Sequence, residues 1–206
     1  MSRPLLISDC DEVLLHMVSH FGDWLAEEHD IIFDVERPDF AGALSRASTR
    51  EVLPTEEVWP LLDLFFEEQM HRQTLVPGAL EALERIGQVA DVVILTNLGD
   101  HAHGWRVEQL ASHGITHEVV CNQGGKGPPV RELAARHDAS TIVFVDDLPV
   151  HHESVADHAP DVWRLHMIAE PRLAKWVPAA PRAHARIDDW PSACDWILRK
   201  FEEGQA

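Results

Sequence analysis

The chain opens with the run Leu5-Leu6-Ile7-Ser8-Asp9-Cys10-Asp11, in which a short apolar stretch ends in two acids. Three further apolar runs, 89–96, 117–122 and 141–146, also end in polar or small residues, and a weaker run covers 162–168. Continuous runs rich in β-branched residues, rather than alternating ones, are typical of strands buried on both faces, as in a parallel sheet. The sequence therefore predicts five strands at these positions.

Helical patterns fill the spaces between these runs. They cover 78–86, 103–112, 130–137 and 151–158, and an amphipathic helix over 190–201 closes the pattern. Strands and helices in alternation favour an α/β fold with right-handed crossovers. We predict a Rossmann-like parallel sheet with helices on both faces.

One stretch interrupts the alternation directly after the first strand. Apolar residues recur there with helical spacing in two segments, 14–25 and 61–70. Pro60 precedes the second segment, so that helix either kinks or begins near Trp59. The stretch shows no clear strand pattern, and we expect a small all-helical cap here.

The pattern predicts two domains. The core would comprise residues 1–15 and 76–206, and the cap would comprise residues 16–75. The part of the core from 160 to 191 is rich in proline, which favours ordered but irregular chain.

Composition restricts the partners of this protein. The chain has 206 residues, with 17 Lys and Arg against 35 Asp and Glu, for a formal net charge of −18. Such a surface repels phosphate backbones and anionic lipids, so we expect neither nucleic acid nor a membrane as partner. The opening residues have too short an apolar run for a signal peptide, and three widely spaced cysteines without a CxxC pair favour a reducing, cytoplasmic location.

Candidate chemistry lies where the predicted strands end. Ligands of open α/β sheets bind beyond the carboxyl ends of the strands. A single acid at such a position usually only faces solvent, but four carboxylates on one rim would repel each other unless a cation neutralised them, and hard oxygen ligands favour Mg²⁺. The residues at these ends are Asp9 and Asp11, Thr96 and Asn97, Lys126, and Asp146 and Asp147.

These residues resemble the four motifs of the haloacid dehalogenase (HAD) superfamily, in order and at reasonable spacing. The resemblance covers roughly residues 1–15 and 76–170. Each motif alone is weak, but four in order on a predicted α/β chain form a strong signal. The motifs are the strand with DxD at 5–13, the strand ending in Thr96, the lysine Lys126, and the strand ending in Asp146-Asp147.

The resemblance implies a role for each residue. Asp9 would be the nucleophile and form an aspartyl-phosphate, and Asp11 would act as general acid and base. Phosphoryl oxygens would bind Thr96, the amide of Asn97, and Lys126. The ligands of Mg²⁺ would be Asp9, the backbone carbonyl of Asp11, and the acidic pair, with Asp147 direct and Asp146 supporting.

The stretch 16–75 matches the position of the superfamily's C1 cap, which covers the site and contacts substrate. Its arginines, Arg37, Arg46, Arg50 and Arg72, and its tryptophans, Trp24 and Trp59, are candidates for such contacts. For each, solvation or core packing is the competing and favoured explanation. His16 and His20 share a helix face without a third metal ligand and would at most line the entrance.

One residue departs from the pattern of the superfamily. Glu12 stands where the superfamily usually has a small residue, most often Gly. A fifth carboxylate at this position would face solvent, cap a helix or narrow the entrance to the site.

The resemblance implies a Mg²⁺-dependent phosphatase that acts on a small phosphorylated metabolite. Two other activities on the same scaffold are alternatives, a phosphomutase and a carbon–halogen hydrolase. A catalytically silent binding protein with the same fold is the third.

Overall fold

The computed structural model describes residues 2–37, 39–204 and 206. Its main sheet has six parallel strands in the order β5-β4-β1-β6-β7-β8, and a separate antiparallel pair joins β2 and β3. The parallel α/β sheet predicted from the sequence is therefore confirmed. The strands are β1 (Leu5–Ser8), β2 (Ile31–Phe33), β3 (Leu44–Arg46), β4 (Asp91–Thr96), β5 (Glu118–Cys121), β6 (Ile142–Asp146), β7 (Trp163–His166) and β8 (Ala185–Arg186).

Within the described residues, eight α-helices accompany these strands. The predicted helices of the core are all present, with ends that differ by at most a few residues from the expected ones. The helices are α1 (Val18–Glu28), α2 (Thr55–Glu68), α3 (Ala79–Gly87), α4 (His103–Ser112), α5 (Gly127–His137), α6 (Pro149–His158), α7 (Pro171–Ala174) and α8 (Trp190–Glu203).

The side chains of β1 alternate between two hydrophobic clusters, one on each face of the sheet. Leu6 belongs to the cluster that contains residues of α3 and α8, whereas Leu5 and Ile7 belong to the cluster that contains residues of α5 and α6. Both faces are buried, so every residue of β1 is apolar except Ser8. This is the reason that the strand reads as a continuous apolar run.

The residues at the starts of three core helices are ones that favour helix initiation. Proline occupies the first turns of α5, α6 and α8, where its missing N–H leaves no helical hydrogen bond unmade. The Asp189 carboxylate also accepts a hydrogen bond from the backbone N–H of Ser192, 2.9 Å away, and so caps α8.

The insert between β1 and β4 is not all-helical, and that prediction is wrong. It contains α1 and α2, but β2 and β3 form a two-stranded hairpin between them. Each of these strands has three residues, which is too short for a recognisable period along the sequence. The insert has a hydrophobic cluster of its own, in which Phe21, Trp24 and Phe65 are fully buried.

Helix α2 begins at Thr55 rather than near Trp59, and it continues through Pro60. Two acids lie in its first turn, where negative charge interacts favourably with the positive end of the helix dipole. The segment predicted to be irregular, 160–191, contains β7, the short helix α7 and the short strand β8. The three cysteines are free.

No helix within residues 2–37, 39–204 and 206 combines the length and the apolar character needed to span a bilayer.

Candidate active site

The strand register brings the predicted residues to one edge of the sheet. Ser8, the last residue of β1, pairs with Ile94 on one side and Val145 on the other. The backbone N–H of Asp9 then donates to the carbonyl of Val145, at 2.8 Å. Asp9 therefore stands beside the ends of β4 and β6, which carry the second and the fourth motif.

Lys126 lies at the centre of the site, at the start of α5. Its Nζ is 2.6 Å from Oδ1 of Asp9 and 2.7 Å from Oδ2 of Asp146, and its side chain is buried. Burial acts to lower the pKa of Lys126, but the two carboxylates raise it overall. The lysine is thus a fixed positive charge between two acids.

Gly127 allows this placement of Lys126. A Cβ on Gly127 would collide with the backbone carbonyl of Ser154 in α6, so α5 and α6 approach closely only because this residue is glycine. The Ser154 hydroxyl accepts a hydrogen bond from the N–H of Gly127, at 2.9 Å.

Three carboxylates form a cluster at this edge. Asp9, Asp146 and Asp147 each place an oxygen within 4.8 Å of the others. Burial raises the pKa of Asp9, and the neighbouring Asp146 adds to the rise while Lys126 opposes it. Burial and the charges of Asp146 and Asp9 raise the pKa of Asp147 well above its usual range. Crowded carboxylates of this kind suit a divalent cation with oxygen ligands.

The two acids of the β6 motif have different surroundings. Asp146 is fully buried, and its oxygens accept hydrogen bonds from Lys126 and from the N–H of Leu148, 2.9 Å away. Asp147 as a residue is only partly buried, and it lines the cavity above the sheet. The backbone carbonyl of Asp147 accepts a hydrogen bond from Nε2 of His166, at 2.8 Å.

Two residues at the end of β4 complete the predicted set. The Thr96 hydroxyl is buried and has no hydrogen-bond partner among the described residues. Unsatisfied buried hydroxyls are rare in native proteins, so this group is suited to a ligand. The side-chain amide of Asn97 donates to the carbonyl of Gly124, at 2.9 Å.

Asp11 is held by residues that the sequence analysis missed. Nη2 of Arg106 lies 2.9 and 2.8 Å from the two carboxylate oxygens, and the Gln73 amide donates to Oδ1 at 2.6 Å. Arg106 is fully buried in the middle of α4. One sign of this role is present in the sequence: Arg106 lies four residues before the apolar Leu110 and therefore on the same, buried face of α4.

Glu12 caps α1, one of the three roles that the sequence left open. Its Oε1 accepts hydrogen bonds from the backbone N–H groups of Met17 and Val18, at 2.8 and 2.6 Å. The backbone of Glu12 is left-handed, with φ of 58°, a conformation that glycine adopts without strain. Burial raises the pKa of this carboxyl to about 7.

A cavity of about 490 Å³ lies between the strand ends and the insert. Of the residues predicted for the site, five line it, while Thr96 and Asp146 are not among its lining residues. The five are Asp9, Asp11, Asn97, Lys126 and Asp147.

Only some of the arginines and tryptophans of the insert that were candidates for substrate contacts line this cavity. Arg37 and Trp59 line it, whereas Trp24 is buried in the core of the insert. Arg46 and Arg72 form ion pairs with Glu57 and with Glu27 and Glu28, away from the cavity lining. Arg50 is exposed and is likewise not among the lining residues.

The histidine that lines the cavity is not one of the two, His16 and His20, that were expected near its entrance. His151 lines the cavity, and its Nε2 lies 3.4 Å from the amide nitrogen of Asn97; burial lowers its pKa. His16 and His20 do not line it, and the His20 ring contacts the Thr74 hydroxyl at 3.0 Å. In the sequence, His151 stands beside His152 and Glu153 as a possible metal ligand, for which a surface or packing role is the favoured explanation, and nothing there places it in the cavity.

The central lysine gives a test of stability. We expect Lys126→Met to lower the free energy of unfolding by roughly 3–5 kcal/mol, since it leaves Asp9 and Asp146 buried without their shared cation. Urea denaturation in the presence of a chelator measures this. The matched control is Lys175→Met, because Lys175 is exposed and we expect a change within about 0.5 kcal/mol there. Equal stability of the two variants would contradict this description of the site.

Comparison with known proteins supports the fold. No family model matches the sequence, and a search of curated proteins finds no match. Solved structures do match over nearly the whole chain. A protein from Bacillus subtilis classed as a HAD hydrolase and solved with bound magnesium is 13% identical, covers 96% of this chain and 99% of its own, and has a TM-score of 0.65.

Two further structures have the same architecture. A predicted phosphoglycolate phosphatase from Haemophilus somnus is 13% identical, covers 94% of this chain and 97% of its own, and has a TM-score of 0.62. A 2-haloacid dehalogenase from Pseudomonas syringae is 17% identical, covers 97% and 99%, and has a TM-score of 0.57. The chain therefore has the fold of the haloacid dehalogenase-like hydrolases, as its four motifs indicate.

Proposed function

We propose that this protein is a Mg²⁺-dependent phosphatase that hydrolyses a small phosphorylated molecule through an aspartyl-phosphate on Asp9. The observation that carries the proposal is the position of Asp9. Its carboxylate lines the cavity, contacts the fixed charge of Lys126 and lies within 4.8 Å of the Asp147 carboxylate.

The residues present fit a magnesium ion. Asp9 and Asp147 would hold it with carboxylate oxygens, and Asp11 would add its backbone carbonyl. Both oxygens of Asp146 already accept hydrogen bonds, so this acid is better suited to holding Lys126 in place. When bound, the ion would neutralise charge on the phosphoryl group and on the acids around it.

The covalent chemistry would use this chain's own side chains. An Asp9 oxygen attacks phosphorus, and the bond from phosphorus to the alcohol oxygen breaks. Water then attacks the phosphorus of the aspartyl-phosphate, which releases inorganic phosphate and restores Asp9. Lys126, the Thr96 hydroxyl and the amide of Asn97 would bind the phosphoryl oxygens through both steps.

Asp11 would donate a proton to the leaving oxygen and then accept one from the attacking water. In this structure both its oxygens accept hydrogen bonds from Arg106, so neither donates. The proposed role therefore requires the Asp11 side chain to rotate away from Arg106. Gln73, which also holds Asp11, follows the last helical turn of the insert, so a movement of the insert would loosen this contact.

We also propose that residues 16–75 form a cap and that 1–15 with 76–206 form the core. The separate hydrophobic cluster of the insert supports this division. So does the cavity, which has one wall on the insert and the other at the strand ends.

Hydrolysis of a carbon–halogen bond is the second candidate. A halide leaves without a proton, so this reaction would proceed with Asp11 still bound to Arg106. Wild-type protein with small haloacids and with a panel of phosphorylated metabolites separates the candidates, because the first proposal expects turnover of phosphate esters alone.

Magnesium gives a direct prediction. Exhaustive chelation should abolish phosphatase turnover and lower the Tm, since a ligand that binds only the native state stabilises it. Adding Mg²⁺ should restore both. In Asp147→Asn the Mg²⁺-dependent rise in Tm should be lost, because one of the charged ligands is gone. Full turnover after chelation would contradict the metal assignment.

A further inference from the structure

The cavity has one charged end and an apolar remainder. Its acids and Lys126 are grouped where the strands end, and Asn97 and His151 are its uncharged polar side chains near that group. Most of the other lining residues are apolar and come from three parts of the chain: the insert, the loop after β6 and the segment after β7. The polar contacts available to a substrate are therefore concentrated at the phosphoryl end.

The wall on the insert is largely aromatic. Phe40 and Trp59 stack with ring centroids 5.9 Å apart and planes at 11°, and Phe33 meets Phe40 edge to face at 5.1 Å. Phe66 lines the same cavity. Aromatic walls favour flat apolar groups, which stack on or pack edgewise against the rings.

The mouth of the cavity also exposes apolar side chains. Trp59 is 49% exposed and Leu148 is 46% exposed, although both line the cavity. Large apolar side chains that stay exposed around a concave site are typical of a ligand groove. Burial of a ligand's apolar surface against them is the favourable contribution that these positions offer.

The cavity offers little to a second anionic group. Apart from Lys126, Arg37 is the only Lys or Arg among its described lining residues. Arg37 lies 3.5 Å from the Asp34 carboxylate and donates to the carbonyl of Gly42, so its charge is already paired. Lys126 is engaged by Asp9 and Asp146. A second carboxylate or phosphate on the substrate would face four acids without a free cation.

We propose that the substrates are phosphate monoesters of apolar alcohols, above all those that carry an aromatic ring. This rests on the proposed phosphatase function. The phosphoryl group occupies the charged end, and the ring lies against Trp59, Phe40 and Phe66. A polyhydroxylated substrate loses hydrogen bonds to water in such a cavity and finds few partners there, so it is discriminated against.

The test compares esters whose leaving groups are all alkyl alcohols, so that leaving-group chemistry does not decide the outcome. The probes are phenethyl phosphate, glycerol phosphate and phosphoglycolate, each with saturating Mg²⁺. We expect kcat/KM for phenethyl phosphate to exceed that for the other two by roughly 10- to 100-fold, the effect of burying one ring. Equal or better turnover of glycerol phosphate or phosphoglycolate would overturn the inference while leaving the phosphatase function intact.

A variant and its matched control locate the effect. Trp59→Ala should lower kcat/KM for phenethyl phosphate by about tenfold and leave that for glycerol phosphate within about twofold. Trp105→Ala removes a tryptophan of similar exposure, 41%, that does not line the cavity, and both esters should then react as in wild type. A parallel loss on both esters in Trp59→Ala would show a structural role and overturn the assignment of this wall.

Binding provides a readout that does not depend on turnover. Calorimetry should show phenethylphosphonate, which is not hydrolysed, binding at least about tenfold more tightly than methylphosphonate, and Trp59→Ala should remove most of this difference. Equal affinity overturns the inference. If no phosphate ester is hydrolysed with Mg²⁺, the phosphatase proposal fails, and this binding comparison still decides whether the cavity takes an apolar group.

Discussion

Asp9→Asn should abolish the hydrolysis of every phosphate ester, with a loss of roughly 10⁴-fold or more in kcat. An amide cannot form the aspartyl-phosphate, and among the described residues Asp9 is the only cavity-lining carboxylate that contacts Lys126. The variant should fold, because Lys126 keeps its contact with Asp146. Steady-state release of inorganic phosphate from an aryl phosphate, the more reactive kind of ester, measures the effect.

The matched control is Asp161→Asn, since Asp161 is exposed and does not line the cavity. This variant should retain full activity. Thermal melts of both variants confirm that they are folded. Turnover by folded Asp9→Asn at more than about one per cent of the wild-type rate would exclude Asp9 as the nucleophile.

Asp11→Asn should lower the turnover of alkyl phosphates by about 10²–10⁴-fold, the usual contribution of general acid–base catalysis. The loss should be smaller for aryl phosphates, because a phenolate leaves with less need of a proton. The variant should keep its Mg²⁺-dependent rise in Tm, since the proposed metal contact at this position is a backbone carbonyl. Paired kcat values for benzyl and phenyl phosphate give the comparison.

A structural role for Asp11 would give a different result. The Arg106 guanidinium loses its charged partner in this variant, so some loss of stability is expected whatever the catalytic role. A structural loss would affect both esters equally. Unchanged hydrolysis of the alkyl ester would rule out acid–base catalysis by Asp11.

The sheet and the residues at its edge could be predicted because each central strand and the polar residue at its end are adjacent in the sequence. The central strands β1, β4 and β6 are largely continuous apolar runs, and the polar residue at the end of each marks the edge where ligands bind. Asp9, Thr96 and Asp146 stand directly at such ends. The register between β1 and its neighbours then brings them together.

The contacts of Asp11 could not be predicted because they join distant parts of the chain. Arg106 is 95 residues from Asp11, and Gln73 is 62 residues away. Nothing in the spacing of either residue specifies that pair. The apolar wall shows the same limit, since Leu148, Ile168 and Val177 face one cavity only after the chain has folded. The hairpin of β2 and β3 was missed for a different reason, its short strands.

Trapping the phosphorylated protein tests most directly whether phosphoryl transfer passes through Asp9. Asp11→Asn suits the test, because without a base for the attacking water the aspartyl-phosphate should accumulate. The variant is mixed with phenyl phosphate and Mg²⁺, quenched in acid and digested, and the peptides are analysed by mass spectrometry. We predict one phosphoryl group on Asp9, absent from an Asp9→Asn/Asp11→Asn double variant treated in the same way. A phosphoryl group on another residue, or wild-type phosphate release with none on Asp9 in either wild type or Asp11→Asn, would exclude Asp9 as the nucleophile.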